Sequence, residues 1–227
     1  MKNFRGFLLP LIIVSVFILT ACGRTKTEFF PDGTLKSEIT YSNGQMDGNA
    51  VWYYPNGNKQ LECYYTDGKL EGKVTRWYNN GSKQREDTYA GDKKNGISLV
   101  WDESGYQSCE ENYLNDTLEG PYKEWHPNGE VLVEGAFHNG MYEGTWSYFD
   151  TKGILVGKAD FSQGTGKLLA YFWNGKLKRE ISYQQNQKHG PEIWYTQDGQ
   201  IEKEIQFENG KITDIIVGDT TNINTRF

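Results

Sequence analysis

The chain has 227 residues, 24 Lys+Arg against 30 Asp+Glu, and a formal net charge of −6. That length suits one or two ordinary domains, and the acidic balance argues against a nucleic-acid partner, which needs a basic stripe along phosphates. With Tyr 15, Trp 7 and only Pro 6 the chain is too aromatic for a disordered polymer, and Cys 3 is too few for a disulfide-dense scaffold.

At the N-terminus, Lys2 and Arg5 give a positive n-region, and Gly6 to Ile18 is an apolar run too short to span a bilayer comfortably. It ends in Leu19-Thr20-Ala21-Cys22, which resembles the bacterial lipobox. The resemblance implies that residues 1–21 are a lipoprotein signal peptide and that Cys22 becomes the acylated first residue. Residues 22–28 then form a short tether. Loss of Lys2 and Arg5 moves the net charge from −6 to −8. An anionic domain gains nothing from anionic head groups, so retention rests on the acyl chains, each buried CH₂ being worth about 0.8 kcal/mol. The expected address is the bacterial cell envelope, outside the cytoplasm. Gly23 after Cys22 resembles outer-membrane sorting, on the periplasmic side, in Gram-negative cells.

Beyond the tether the sequence repeats. Turn glycines fall at Gly33, Gly57, Gly81, Gly105, Gly129, Gly153, Gly175 and Gly199, in steps of 24 with one step of 22. A first aromatic column precedes each turn: Phe29, Tyr53, Trp77, Trp101, Trp125, Phe149, Tyr171, Tyr195. A second follows it: Tyr41, Tyr65, Tyr89, Tyr113, Phe137, Phe161, Tyr183, Phe207. Between turn and second column stands an acidic column: Glu38, Glu62, Glu86, Glu110, Glu134, Glu180 and Glu204, with Lys158 as the exception. A further glycine column, Gly48, Gly72, Gly96, Gly120, Gly144, Gly166 and Gly190, suits close approach of backbones or rings.

Each unit reads as two strands about a tight turn. Val51-Trp52-Tyr53-Tyr54 runs into Pro55-Asn56-Gly57 and then into Asn58–Tyr65. A two-residue turn would split the apolar set between both faces. A three-residue loop closed by Gly in the left-handed conformation pairs even offsets with even, and the even offsets are apolar, as in Leu61, Cys63 and Tyr65. A second turn runs through Gly44, Gly68, Asp92, Asp116, Gly140, Gly164, Asn186 and Gly210, residue types that tolerate the left-handed region. Period-two alternation with regular turns predicts an all-β fold. One unit cannot bury its own face, so units stack into an elongated, twisted, single-layer antiparallel sheet. Eight hairpins over residues 29–214, about sixteen strands, should carry the aromatics on one face. Residues 215–227 read as a cap and tail.

The aromatic-Tyr-x-Asn-Gly segments, as in Trp77-Tyr78-Asn79-Asn80-Gly81 and Trp125-His126-Pro127-Asn128-Gly129, with Tyr64-Tyr65-Thr66-Asp67-Gly68-Lys69-Leu70-Glu71-Gly72 between hairpins, resemble the bacterial variant of the MORN repeat. Bacterial chains of this kind carry the label of YwqK-type antitoxin-like proteins. The resemblance implies a β-hairpin array and contacts with proteins or phospholipids. Three features depart from the pattern. Asp92 and Asp116 replace glycine, and Lys83, Asp87, Gln107 and Glu111 put polar groups at apolar offsets. The 22-residue step predicts a bend near residues 164–171.

No chemistry is expected. Neighbouring glutamates in the acidic column should stand about 10 Å apart, too wide for an acid–base pair or a shared metal. Each is read as a hydrogen-bond acceptor or a solvated group, with an acidic ladder for a cationic partner as the alternative. His126, His138 and His189 occupy three different repeat positions, and no metal, cofactor or catalytic residue is predicted. Cys63 and Cys109 lie about 19 Å apart, beyond the ~7 Å reach of a disulfide, so two buried free thiols are expected. Trp52, Tyr54, Tyr78, Trp173 and Trp194 lie off both aromatic columns and are the candidate contact surface. The leading reading is a membrane-anchored, non-enzymatic scaffold for an envelope protein. The alternatives are a glycan or phospholipid platform and an antitoxin-like immunity protein.

Overall fold

A computed structural model describes residues 23–217. The lipobox with Cys22, and residues 218–227, lie outside the described residues. Strands β1 (Arg24–Phe29) and β2 (Leu35–Ser42) form the first hairpin, β3 (Gln45–Tyr53) and β4 (Lys59–Thr66) the second. Next come β5 (Lys69–Trp77) with β6 (Lys83–Ala90), and β7 (Lys93–Trp101) with β8 (Gln107–Leu114). The fifth hairpin joins β9 (Thr117–Leu118) and β10 (Gly120–Trp125) to β11 (Val131–His138). The sixth pairs β12 (Met141–Phe149) with β13 (Leu155–Ser162), and the seventh β14 (Thr165–Tyr171) with β15 (Leu177–Gln184). The eighth pairs β16 (Gln187–Tyr195) with β17 (Ile201–Glu208), and β18 (Lys211–Val217) follows it.

β9 and β10 are two pieces of one strand, both carried by β8, and each of the other strands pairs antiparallel with the next. Among the described residues the result is one open sheet with β1 and β18 as its edges. Three expectations need correction. The sheet has eighteen strands rather than sixteen, because Glu119 splits one strand in two and β18 begins a ninth unit. Residues 24–28 are no tether: β1 pairs with β2 from Arg24↔Tyr41 to Phe29↔Leu35 and satisfies that side of the β2 backbone. Residues 215–217 lie inside β18, paired with β17, rather than in a cap.

The first turn is the three-residue loop expected. The Gly57 N–H donates to Tyr54 O at 2.9 Å and the Tyr54 N–H to Asn58 O at 2.8 Å, with Gly57 at φ 85°. The second turn has two residues, both left-handed: Asn43 (φ 50°) and Gly44 (φ 82°) in the first unit, Asn139 and Gly140 in the fifth. This double left-handed turn matches the natural twist of paired strands.

Two bulges per unit set which side chains share a face. Opposite the first turn, Tyr53 pairs with Lys59 while Trp52 pairs with Leu61, so Gln60 is left unpaired. That extra residue turns the first aromatic column onto the outer face, with the acidic column, whereas the second column stays inside. The aromatics therefore do not share one face. The same bulge puts Lys83 and Gln107 opposite Trp77 and Trp101, outside, where a lysine is no burden. Lys59 and Lys83 instead lie over the Trp77 and Trp101 rings at 5.6 and 5.4 Å.

The second bulge holds the glycine column. Between Ile39↔Ala50 and Tyr41↔Met46, three residues of β3 face one of β2, and Gly48 sits at φ 112°. Positive φ, more than close approach, explains this column. The 22-residue step tests the point. β13 and β14 pair without a register shift from Gly157↔Ala170 to Ser162↔Thr165, so the two absent residues are the bulge, and Gly166 is not left-handed. The expected bend is replaced there by a regular ladder. Gly166 serves close approach instead: an added Cβ would lie 2.2 Å from Asp160 O.

Inner-face packing forms two cores. Ala50, Cys63 and Val74 make one, covered by Trp52, Leu61 and Tyr65. Val133, Trp146, Ala159 and Phe161 make the other, with Tyr122, Phe137 and Tyr142 around them. Between them, in the third and fourth units, the inner face is ionic. Asp87, 1% exposed, accepts from Arg85 Nε at 2.9 Å and Lys94 Nζ at 2.9 Å, and Arg85 reaches Glu111 at 2.7 Å.

Candidate functional site

The five predicted contact residues have different fates. Trp52 is half-buried against the first core. The Tyr54 hydroxyl donates to Trp77 O at 2.8 Å and the Tyr78 hydroxyl to Trp101 O at 3.0 Å, so both tie one unit to the next. His126 Nε2 makes the same link to Phe149 O at 3.0 Å. Trp194 is half-buried: its Nε1–H donates to Glu192 at 2.9 Å, and the Arg179 guanidinium lies 4.2 Å from its ring centroid. Trp173 alone stands free, at 88% exposure.

Its exposure follows from the local sequence. Trp173 is the first residue of the loop Trp173-Asn174-Gly175, whose turn closes through Gly175 N–H to Phe172 O at 2.9 Å. Other units place Pro55, Asn79, Glu103 or Pro127 there, and a side chain at that position points off the end of the hairpin. Around Trp173 the first-turn edge of units six to eight is apolar. One groove, of about 400 Å³, is lined by Ile154, Leu155, Tyr171, Phe172 and Trp173. A second, of about 510 Å³, shares Phe172 and is walled by Trp194, Tyr195 and Val217, with Lys178, Lys203 and Glu202 at its rim. Ile154, Leu155, Ile201 and Val217 are 46–68% exposed. The equivalent groove between Trp52 and Trp77 holds only about 280 Å³ and is lined by Gln60, Arg76 and Gln84. There the turns are also crosslinked, as by Asn56 and Asn58 donating to Asn79 O.

Beneath the second groove lies a buried ion cluster. Glu192, 2% exposed, bonds Arg179 and Lys188 at 2.6 Å each. Burial alone would raise its carboxyl, but the hydrogen bond from Lys188 and the charges of Arg179 and Lys188 hold it below the ordinary value. The Asp87 cluster is built on the same plan. Arg85 and Arg179 share one repeat position, and Lys94 and Lys188 another. The acid moves to the facing strand, since Asp87 pairs with Ser98 where Ile181 pairs with Glu192. These clusters hold neighbouring strands together where charged residues take inner-face positions, Glu192 lying between Ile181 and Ile205.

The acidic column is mostly occupied by its neighbours. Glu62 pairs with Lys59 at 2.9 Å, Glu86 with Lys73 and Lys83 at 2.6 and 2.9 Å, Glu134 with Lys123 at 3.2 Å, and Glu180 with Lys167 at 2.5 Å. Glu38 accepts from Tyr53 Oη at 3.1 Å, Glu204 accepts from Gln206 at 2.5 Å, and Glu110 lies opposite Lys123. His138 bonds Glu119 at 2.8 Å, and His189 lies 3.5 Å from the Asn209 N–H. Among the described residues no three His, Cys, Asp or Glu side chains are grouped to hold a metal. Cys63 and Cys109 are free thiols, but Cys109 is half-buried rather than buried. Burial pushes the Cys109 thiol up to about 11.

The family model described as MORN repeat variant matches residues 25–43, 46–67, 70–90, 118–139, 165–185 and 188–212, more than half of the chain. No curated protein matches it. The unmatched hairpins are β7–β8 and β12–β13, yet their strands pair like the rest. MORN repeats commonly mediate contacts with proteins or membrane lipids, and theirs is a family of binding repeats, generally non-enzymatic. The chain belongs to the MORN repeat variant family.

Proposed function

We propose that this chain is a lipid-anchored, non-enzymatic scaffold of the bacterial envelope, and that it docks a partner protein on the first-turn edge of units six to eight. The observation that carries the reading is the apolar strip around Trp173, with its two adjoining grooves. Contiguous exposed apolar surface of this kind marks an interaction site, and aromatic anchors beside pockets supply most of the energy of such contacts. The anchor would enter at the opposite end of the sheet. β1 begins two residues after Cys22, and thirteen strand steps of about 4.8 Å put β15 roughly 60 Å away along the sheet. Such a molecule reaches outward from its membrane.

Affinity capture of the intact lipidated protein from its own membrane tests this, with Cys22→Ala as the mislocalised control and Trp173→Ala as the site control. The expected result is one stoichiometric protein, lost in both controls. Its identity would separate a scaffold partner from a toxin held by an antitoxin-like protein. Capture unchanged by Trp173→Ala, or no protein at all, would refute the reading. In that case liposome and peptidoglycan pull-downs test the phospholipid and glycan alternatives.

A further inference from the structure

The two edges of the sheet differ. β1 is polar from Arg24 to Glu28, and Lys26 bonds Glu28 at 2.8 Å. Charged, short edges of this kind discourage further pairing. β18 is the reverse. All seven of its residues are exposed, with Ile212, Ile215, Ile216 and Val217 between 50% and 68%. Its last residue, Val217, lines the groove walled by Phe172, Trp194 and Tyr195. The Ile215 N–H is held by the Asp214 carboxylate at 2.8 Å, a bond that a strand carbonyl could replace.

We propose that β18 is a receiving edge: an extended segment of the partner protein, apolar at alternate positions and acidic where it passes Val217, adds to it as a further antiparallel strand. The inference rests on the scaffold reading above and names how the partner binds. Main-chain bonds along a free edge give affinity, and alternate side chains give specificity. On the inner face the added strand would extend the row Ile205–Ile215, which calls for apolar residues there. At the Val217 end, Lys203 stands across the ladder from Val217 on the inner face, and Lys178 lines the same groove from β15, three strands away. That calls for carboxylates.

A second copy fits worse. Full antiparallel overlap of two β18 strands sets Asp214 opposite Asp214, and like charges facing each other destabilise a ladder. Pairing onto another copy's β1 places the Ile215 and Val217 face beside Arg24, Lys26 and Glu28.

The test uses full-length lipidated protein in detergent micelles and a labelled probe peptide, acetyl-Asp-Asp-Phe-Val-Thr-Val-Thr-Val-amide. Fluorescence anisotropy should show saturable binding, and hydrogen exchange at the Ile215 amide should slow about tenfold with the peptide bound. The double variant Lys178→Glu, Lys203→Glu should weaken binding about tenfold and prefer the same peptide headed by two lysines. This exchange of charge preference does not depend on any change within β18. No saturable binding by about 1 mM peptide, equal affinity for acidic and basic heads, or unchanged Ile215 exchange would overturn the inference. Concentration-dependent self-association that Ile216→Lys abolishes would also overturn it, assigning the edge to a second copy. Failure here with Trp173-dependent capture intact leaves the scaffold reading standing. Loss of that capture sinks the scaffold reading itself.

Discussion

Gly135→Ala should be among the most damaging single-methyl changes this sheet can suffer. Gly135 is not left-handed, so backbone strain is not the reason. An added Cβ would lie 2.2 Å from Trp146 Cδ2 and 2.4 Å from Cε2. Carbon atoms prefer separations of about 3.5–4.0 Å, so the ring must retreat by more than about 1 Å. It has little room. Tyr122, Phe137 and Tyr142 pack on it with centroids at 5.5, 5.1 and 4.8 Å, and its Nε1–H donates to Ala136 O at 3.2 Å. Overpacking costs about 1–3 kcal/mol. Loosening two or three aromatic pairs, each worth about 0.5–1.5 kcal/mol, and one hydrogen bond brings the loss to roughly 3 kcal/mol. Urea unfolding followed by tryptophan fluorescence should show a midpoint lower by about 1–2 M. Gly157→Ala is the control, because its nearest contacts would be Leu169 O at 3.2 Å and Tyr148 Cβ at 3.5 Å, and it should cost about 1 kcal/mol or less. In a Trp146→Ala background Gly135→Ala should cost almost nothing, since the ring it strikes is gone. An unmoved midpoint, or additive effects in the double variant, would refute the reasoning.

Three further outcomes follow from the same packing. Asp87→Ala removes the buried carboxylate that Arg85 and Lys94 share, leaving Arg85 to Glu111, and should cost about 1.5–3 kcal/mol, against a smaller loss for Lys73→Ala on the outer-face Glu86 pair, both read by thermal melts. Burial alone would raise Asp87 and Glu192, but their hydrogen bonds and charge partners hold both below the ordinary carboxylate value. Their stabilisation is therefore complete above about pH 5 and lost as pH falls through 4 and below, so urea midpoints should drop steeply there, and less steeply in Asp87→Asn. β8 meets β10 at only two registered pairs, Lys123↔Glu110 and Glu124↔Cys109, and the two apolar cores lie on either side of that seam. Native-state hydrogen exchange should resolve two blocks, with Gly135→Ala lowering protection in β11–β15 while sparing β3–β6; equal losses on both sides would contradict the seam.

Much of this fold is legible in the sequence because each turn demands its own residues. Gly57 and its equivalents close a three-residue loop, and the Asn43-Gly44 pair and its equivalents need two left-handed residues. The split of the aromatics was not legible from alternation, because one unpaired residue per hairpin, Gln60 in the second unit, reverses the face of what precedes it. Lying off the aromatic columns did not by itself separate Tyr54 and Tyr78, whose hydroxyls reach a carbonyl one unit away, from Trp173, which stands one repeat position later in the loop. A signal was present: Tyr54, Tyr78 and His126 share one repeat position, which marks a structural tie. Ile154, Phe172 and Ile201 were missed at the site. Ile154 stands where other units place Thr34, Asn58, Ser82 or Glu130, and that departure toward apolar was the clue. The ion clusters could have been found from the recurrence of Arg85 with Arg179 and Lys94 with Lys188.

The central claim is that binding falls on the apolar first-turn edge of units six to eight and not on the equivalent edge nearer the anchor. A photoreactive phenylalanine analogue placed at Trp173, and separately at the matching loop positions Asn79 and Glu103, tests it in the native membrane. The account predicts one crosslinked protein from position 173 and none from 79 or 103. Equal crosslinking from all three positions, or crosslinking from 79 or 103 with none from 173, would contradict it.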